Sequence, residues 1–397
     1  MIAPLHRRHF MATASAAVAT STALSPAVHA AVNAAHAPCH ILGIAPSSQK
    51  LPQLASDYQR GVELGLALAN APQVKLTWLS AGPLPAAPAR AVEAALRHWP
   101  IDAVMGWIPP LLEKKLSAIT VKAGVPLWIS DSGADITPTT EHHPLRVRHS
   151  LELCAMASAL ADKVHAQCGP RAFLSMGWHE SGYDFVQTFQ HRWRSLGGQV
   201  VGRHVAGLPE QSQEFDGLKQ AIAFQQPDVV VALFSGSQSH RFTQWWQAQS
   251  ALARIELAGF PWLSDGIPNT RMWTVASWPS ADTADSAWRA HFEKAGLAWT
   301  PGALLGAEAG ASLGSALAAP SNNARDLWAS LRASPLSGPR GERLWATAAS
   351  DSIGTLWVTA EPRNFRHSTA WLQCQAYPSL SASAAAHSGW TTGYFLT

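Results

Sequence analysis

Ile101-Asp102-Ala103-Val104-Met105-Gly106-Trp107 is followed by the helix-length stretch Leu111–Ala123 and then by Gly124-Val125-Pro126-Leu127-Trp128-Ile129-Ser130. Ala103–Trp107 and Pro126–Ile129 are short, nearly continuous apolar runs, the pattern of strands whose two faces are both covered by helices. A helix-length segment between two such runs makes a crossover unit, and crossover units build parallel sheets.

The same alternation extends in both directions. Strands are expected at Ile41–Ala45, Val74–Leu79, Ala172–Met176, Val200–Val205, Val229–Phe234 and Glu256–Gly259. Helices are expected at Leu51–Ala69, Ala89–Arg97, Leu151–Gln167, Gly182–Leu196 and Phe215–Gln225. In the first of these, Leu54, Tyr58, Val62 and Leu66 recur at every fourth position, as a helix face buried on a sheet requires. One sheet rarely absorbs so many repeats. The pattern restarts near residue 150, after the stretch Glu141–His149, which reads as a loop leading into a crossover strand, and again near Trp273–Trp278. Helices then follow at Ser286–Ala295, Gly302–Leu317 and Asn323–Arg332, and short strands such as Thr355–Val358 near the end. The expected fold class is α/β, with two doubly wound parallel-sheet lobes joined by hinge strands. Residues 39–148 plus 280–335 form the N-terminal lobe, and 149–279 plus 336–397 the C-terminal lobe.

The chain has 397 residues, 47% hydrophobic and 14% charged, with a net charge of +3. That excess is small and scattered, so no nucleic-acid surface is indicated. Arg7-Arg8-His9-Phe10-Met11, an Ala/Thr/Val stretch and the small-residue site Val28-His29-Ala30 give residues 1–30 the anatomy of a twin-arginine signal peptide. Export to the periplasm is expected. Four cysteines, Cys39, Cys154, Cys168 and Cys374, contain no C-x-x-C unit, and their pairing cannot be deduced from spacing.

Five segments in register resemble a known family. They are Asp57–Asn70, Ile101–Gly106, Lys122–Ser130, Leu196–Val201 and Gln226–Val230. The family is the type I periplasmic substrate-binding proteins of branched-chain amino acid (leucine/isoleucine/valine) ABC transporters. The resemblance implies capture of an amino-acid-like small molecule between two hinged lobes and delivery to an inner-membrane ABC permease. It implies no enzyme activity and no cofactor. Alternatives are a periplasmic sensing subunit, or an auxiliary or metal-binding protein of an exported oxidoreductase pathway.

Ligands of such folds meet loops at the carboxyl ends of strands. The family's carboxylate-holding serine after the Gly106 strand is replaced by Trp107-Ile108-Pro109-Pro110. The next loop offers Ser130, Asp131, Ser132, Gly133 and Ala134, with Ser132 the expected anchor of a polar head group. Tyr183 falls where the family places a ligand-packing tyrosine, and Ser235-Gly236-Ser237-Gln238 where it places another contact loop. Trp262 stands where an acidic residue would hold an ammonium group. Trp107, Trp128, Trp178 and Trp262, at or near strand ends, favour an aromatic or apolar ligand, with any amine near Asp131 or Glu180.

Catalytic and metal signals are weaker. Ser235–His240 brings Ser and His together without a nucleophile elbow. His142, His143 and His149 lack a second ligand pair at helical spacing. Gly306–Gly310 and the Ala-rich run after it read as a buried helix whose small residues allow close packing.

Overall fold

In Ala103–Trp107 and Val229–Leu233 every residue is buried, so neither strand has a face to spare for water. The computed structural model describes residues 39–396, apart from 72–73, 81–84, 137–144, 208–213, 265–271, 280–283, 319–323, 334, 346–351, 361–371 and 375–392. The signal-like residues 1–30, and His142 and His143, lie outside the described residues.

The first sheet has five parallel strands in the order β2-β1-β3-β4-β5. These are β1 (Cys39–Ala45), β2 (Val74–Ser80), β3 (Ala103–Trp107), β4 (Leu127–Asp131) and β5 (Arg146–Ser150). Helices α1 (Leu54–Leu68), α2 (Ala86–His98) and α3 (Pro110–Ala123) connect the first four strands. α3 carries proline at its first position, where no N–H is missed, and stops at Gly124, whose φ of 66° closes it. The expected loop at 141–149 in fact contains edge strand β5. Its Arg146, Arg148 and His149 are charged or polar, unlike an apolar core strand, so its pairing was hidden from a hydrophobicity reading.

The second sheet follows helix α4 (Leu153–Cys168). It contains β6 (Arg171–Gly177), β7 (Gln199–Ala206), β8 (Val229–Leu233), β9 (Glu256–Gly259) and β10 (Met272–Ala276). Helices α5 (Asp184–Ser195), α6 (Leu218–Gln225), α7 (Gly236–Gln247) and the short α8 (Pro261–Ser264) intervene. These strands are parallel, whereas β14 (Leu356–Thr359) and β15 (Leu372–Cys374) add two antiparallel strands at one side. α7 was not expected. Its first turn contains Gly236, Ser237 and Gln238, so the supposed contact loop is a helix N-terminus.

After β10 the chain forms α9 (Ser286–Lys294), α10 (Pro301–Ala318) and α11 (Ala324–Ala333), then the antiparallel strands β11 (Leu336–Gly338), β12 (Gly341–Trp345) and β13 (Ser352–Ile353). α10 packs lengthwise on α1 through glycines. A Cβ on Gly61 would come 2.3 Å from the Ala303 carbonyl oxygen, and one on Gly306 would come 2.2 Å from that of Tyr58. Gly65 and Gly310 make the same kind of approach. The 306–310 run is thus a closely packed helix, as its small residues indicate. No described helix is long and apolar enough to cross a membrane.

Among the described residues three passages join the two sheets: after β5, after β10, and between β13 and β14. A buried polar network ties the first two together. Arg340 donates to the Ser150 carbonyl at 2.7 Å and to Ser277 Oγ at 3.3 Å, while Ser277 donates to the Leu151 carbonyl at 2.7 Å. Arg343 pairs with Glu152.

Candidate functional site

The loops at the carboxyl ends of β1 and β3 meet those of β6, β8 and β9. Lys50, between β1 and α1, reaches Glu180 of the second sheet at 3.3 Å. Glu180 is 0% exposed, and its Oε1 also accepts a hydrogen bond from Ser235 Oγ at 2.5 Å. Its Oε2 has no hydrogen-bond partner among the described residues. Burial lowers the Lys50 ammonium from its ordinary value against the opposing pull of Glu180. Burial, together with Lys50, also lowers the His179 imidazole. His179 is then neutral near pH 7, and donates through Nε2 to the Tyr394 carbonyl at 2.8 Å.

Aromatic rings fill the space around this polar centre. Tyr394 stacks on His179 with ring centres 5.5 Å apart and meets Tyr183 and Phe185 edge-on at 5.0 and 5.2 Å. Phe395 meets Trp262 at 5.6 Å and Trp107 at 6.3 Å. The indole N–H groups of Trp107 and Trp262 have no hydrogen-bond partner among the described residues. A cavity of about 250 Å³ opens beside Trp262, lined by Leu51, Asp57, Ser235, Trp262, Trp278 and Phe395 among others.

Of the residues singled out from sequence, Trp107, Tyr183 and Trp262 pack against Tyr394 or Phe395, and Ser235, Gly236 and Trp262 line the cavity. Gly236 has φ of 59°, and a Cβ there would sit 3.1 Å from the Lys50 carbonyl oxygen. Ser237 faces outward and accepts from Arg241 at 3.2 Å. The 130–134 segment is arranged differently. Ser130 Oγ is engaged by Tyr58 at 2.8 Å and by His149 at 2.6 Å. Asp131 accepts from the Ser132 N–H at 2.7 Å. The Gly133 carbonyl accepts from the Cys154 N–H, and that of Ala134 from Phe185, at 2.9 and 3.0 Å. Ser130 is thus spent on α1 and β5, and the Gly133 and Ala134 carbonyls on α4 and α5. Nearby Asp135 has its carboxyl pushed up to about 8 by burial, with Asp131 and Asp184 adding to the rise.

The four tryptophans divide. Trp128 is a core residue, edge-on to His149, Trp328 and Trp345. Trp178 is 49% exposed. Only Trp107 and Trp262 reach the aromatic space. Sequence reasoning missed Lys50, His179, Tyr394 and Phe395. The loop position of Lys50 after a strand was a usable signal; Tyr394 and Phe395 belong to no periodic segment. Among the described residues no group of three or more His, Cys, Asp or Glu could hold a metal ion. His149 is enclosed between Ser130 and Glu308.

No family model matches the chain, and no curated protein matches it. Solved structures do. An ABC transporter substrate-binding protein from Sphaerobacter thermophilus is 18% identical, with 87% of this chain and 99% of that one covered and a TM-score of 0.72. The fold is that of the type I periplasmic binding proteins. The branched-chain amino acid transporter substrate-binding protein LivJ from Streptococcus pneumoniae, in complex with isoleucine, shares 12% identity over 85% of this chain and 100% of that one, with a TM-score of 0.67. A solute-binding protein from Rhodopseudomonas palustris HaA2, in complex with p-hydroxybenzoic acid, shares 15% over 86% and 98%, also with a TM-score of 0.67.

Proposed function

We propose that this protein is the periplasmic substrate-binding component of an ABC transporter. It captures a small aromatic or apolar, amino-acid-like molecule between its two lobes and hands it to an inner-membrane permease. No bond in the ligand is made or broken. The observation that carries this reading is the convergence of strand-end loops from both sheets on one buried aromatic space. Among the described residues, a carboxylate oxygen of Glu180 and the indole N–H groups of Trp107 and Trp262 around that space have no hydrogen-bond partner. Buried polar atoms without partners are costly, and a ligand that satisfies them recovers that cost.

The proposed lobes are residues 39–148 plus 280–335 and 149–279 plus 336–397, hinged at the three passages near Ser150, Ser277 and Gly354. Export through the segment 1–30 belongs to the same proposal. Solved proteins of this fold carry isoleucine or p-hydroxybenzoic acid, so the fold admits both aliphatic and aromatic acids. The Trp107, Tyr183 and Trp262 rings favour an aromatic ligand here.

Thermal unfolding of the signal-free protein against amino acids, aromatic acids, amines and amides tests the proposal. A ligand at a hundred times its dissociation constant should add about 2.7 kcal/mol of stability. Trp107→Ala and Trp262→Ala should abolish the rise. A rise that survives both substitutions would place the ligand elsewhere, and no rise with any compound would count against capture.

A further inference from the structure

The aromatic space contains side chains of a segment far along the chain from every loop that surrounds it. Gly393, Tyr394, Phe395 and Leu396 are all buried, Tyr394 at 0% exposed and Phe395 at 1%. Their contacts come from both sheets. Gly393, at φ of 91°, lies so close to Pro109 of the β3–α3 loop that a Cβ would meet it at 2.8 Å. Phe395 lies between Trp107 of the first sheet and Trp262 of the second. Tyr394 is surrounded by His179, Tyr183 and Phe185 at the end of β6. A turn wedged between two strand-end surfaces holds the place that a ligand takes in a two-lobed binding protein.

The Tyr394 carbonyl is held by His179 at 2.8 Å, but the fastening of its hydroxyl is incomplete. The Tyr394 hydroxyl donates to Glu180 Oε1 at 3.4 Å, the outer limit of a hydrogen bond. The same oxygen takes Ser235 Oγ at 2.5 Å and Lys50 Nζ at 3.3 Å, while Oε2 takes no partner among the described residues. Three donors crowd one oxygen and leave the other idle. A free phenol, not tethered to a backbone, can settle into better geometry than Tyr394 does.

We propose that the Gly393–Leu396 turn is an internal plug of the cleft, and that the ligand displacing it is a para-alkylphenol. The ligand is a flat apolar ring whose hydroxyl takes the place of the Tyr394 hydroxyl at Glu180. This inference rests on the reading of the cleft as a ligand site and adds to it a ligand class and a competitor. Binding is then a two-part exchange. The plug must leave, so apparent affinity is reduced by the fraction of molecules in which the cleft is free.

The test uses p-cresol, with toluene as the control that lacks the hydroxyl. Calorimetric titration compares the unaltered full chain with the full-length double variant Tyr394→Ala/Phe395→Ala. The variant should bind p-cresol at least tenfold more tightly than the unaltered chain, and toluene more weakly than p-cresol. The acetylated peptide Gly-Tyr-Phe-Leu-Thr should compete with p-cresol on the variant. Equal p-cresol affinity in both proteins overturns the plug and leaves ligand capture standing. Peptide binding without p-cresol binding overturns the phenol assignment. Neither binding overturns the plug, and failure of the whole compound panel on the same variant would sink capture as well. Hydrogen exchange on the unaltered chain gives a readout that does not depend on how the variant folds. Saturating p-cresol should speed exchange of the amides of residues 393–396, and unchanged protection in the p-cresol-bound protein overturns displacement.

Discussion

Arg340 forks onto Glu308, its Nε 2.8 Å from one carboxylate oxygen and its Nη2 2.6 Å from the other, with both side chains wholly buried. Two parallel charge-assisted bonds fix direction as well as distance. The remaining Arg340 nitrogen reaches Ser150 and Ser277, so one guanidinium ties the β11–β12 turn to α10 and to two of the three passages between sheets. A fully buried ion pair adds little net stability over an apolar pair, yet breaking it is expensive. Its value here is positional, because it gathers the passages about which the lobes are proposed to hinge.

Arg340→Ala should therefore cost about 3–5 kcal/mol, because Glu308 is left charged and poorly compensated. Glu308→Gln in the same chain should recover part of that loss. Urea unfolding of the three proteins measures both effects. A cost below about 1 kcal/mol for Arg340→Ala would mean that water or another cation replaces the guanidinium.

His149 makes stability depend on acidity. Burial holds its imidazole down to about 4, against the opposing pull of Glu308. Its Nδ1 lies 3.0 Å from Glu308 Oε2 and its Nε2 lies 2.6 Å from Ser130 Oγ. A neutral ring with the proton on Nδ1 satisfies both, with Tyr58 donating to Ser130 and Ser130 to Nε2. Between about 6.5 and 4 the unfolded chain binds a proton that the folded one refuses. The His149 contribution is then fully present above about pH 6.5 and is lost as pH falls toward 4. His149→Gln should flatten the decline in melting temperature over that window. An identical slope in the two proteins would mean that His149 is not the group responsible.

Much of the fold was legible because parallel strands covered on both faces announce themselves as short apolar runs; β3, β8 and their neighbours fall within a residue or two of expectation. β5 was hidden because Arg146, Arg148 and His149 look like loop residues until Glu113 and Glu308 supply their partners. α7 was hidden because Ser235-Gly236-Ser237 reads as a turn, and only Phe242, Trp245 and Trp246 further along carry its apolar face. The site divides the same way. Trp107 and Trp262 were readable from their place beside strand ends, and Tyr183 from the family resemblance. Ser130–Ala134 has the small polar composition of a ligand loop, but its hydroxyls and carbonyls go to neighbouring elements. Tyr394 and Phe395 were out of reach, since local pattern says nothing about where a turn so far along the chain will settle.

The α1–α10 contact leaves no room for even one methyl group. Gly306→Ala would drive a Cβ against the Tyr58 backbone oxygen, and backbone cannot swing aside as a long side chain can. The two helices must separate, at a cost of about 1–3 kcal/mol typical of overpacking. Tyr58 would move with them, loosening its 2.8 Å bond to Ser130. A melting temperature that does not fall would show that the helices can slide without loss.

Lys50 and Glu180 form a latch between the sheets, at 3.3 Å, from the β1–α1 loop of one to the β6–α5 loop of the other. The ammonium is about one-fifth exposed and the carboxylate is enclosed, so solvent screens only one end of the pair. Lys50→Met keeps most of the side-chain stem but removes the charge, leaving Glu180 with Ser235 and Tyr394 as its only donors among the described residues. A partly exposed pair contributes about 1 kcal/mol, enough to change a closed-to-open ratio roughly fivefold. The variant should show a larger radius of gyration in solution scattering and faster exchange at the Phe185 amide, which now bonds the Ala134 carbonyl across the two sheets at 3.0 Å. Scattering and exchange identical to those of the unaltered chain would mean that the aromatic packing of Tyr394 and Phe395 holds the sheets together without the ion pair.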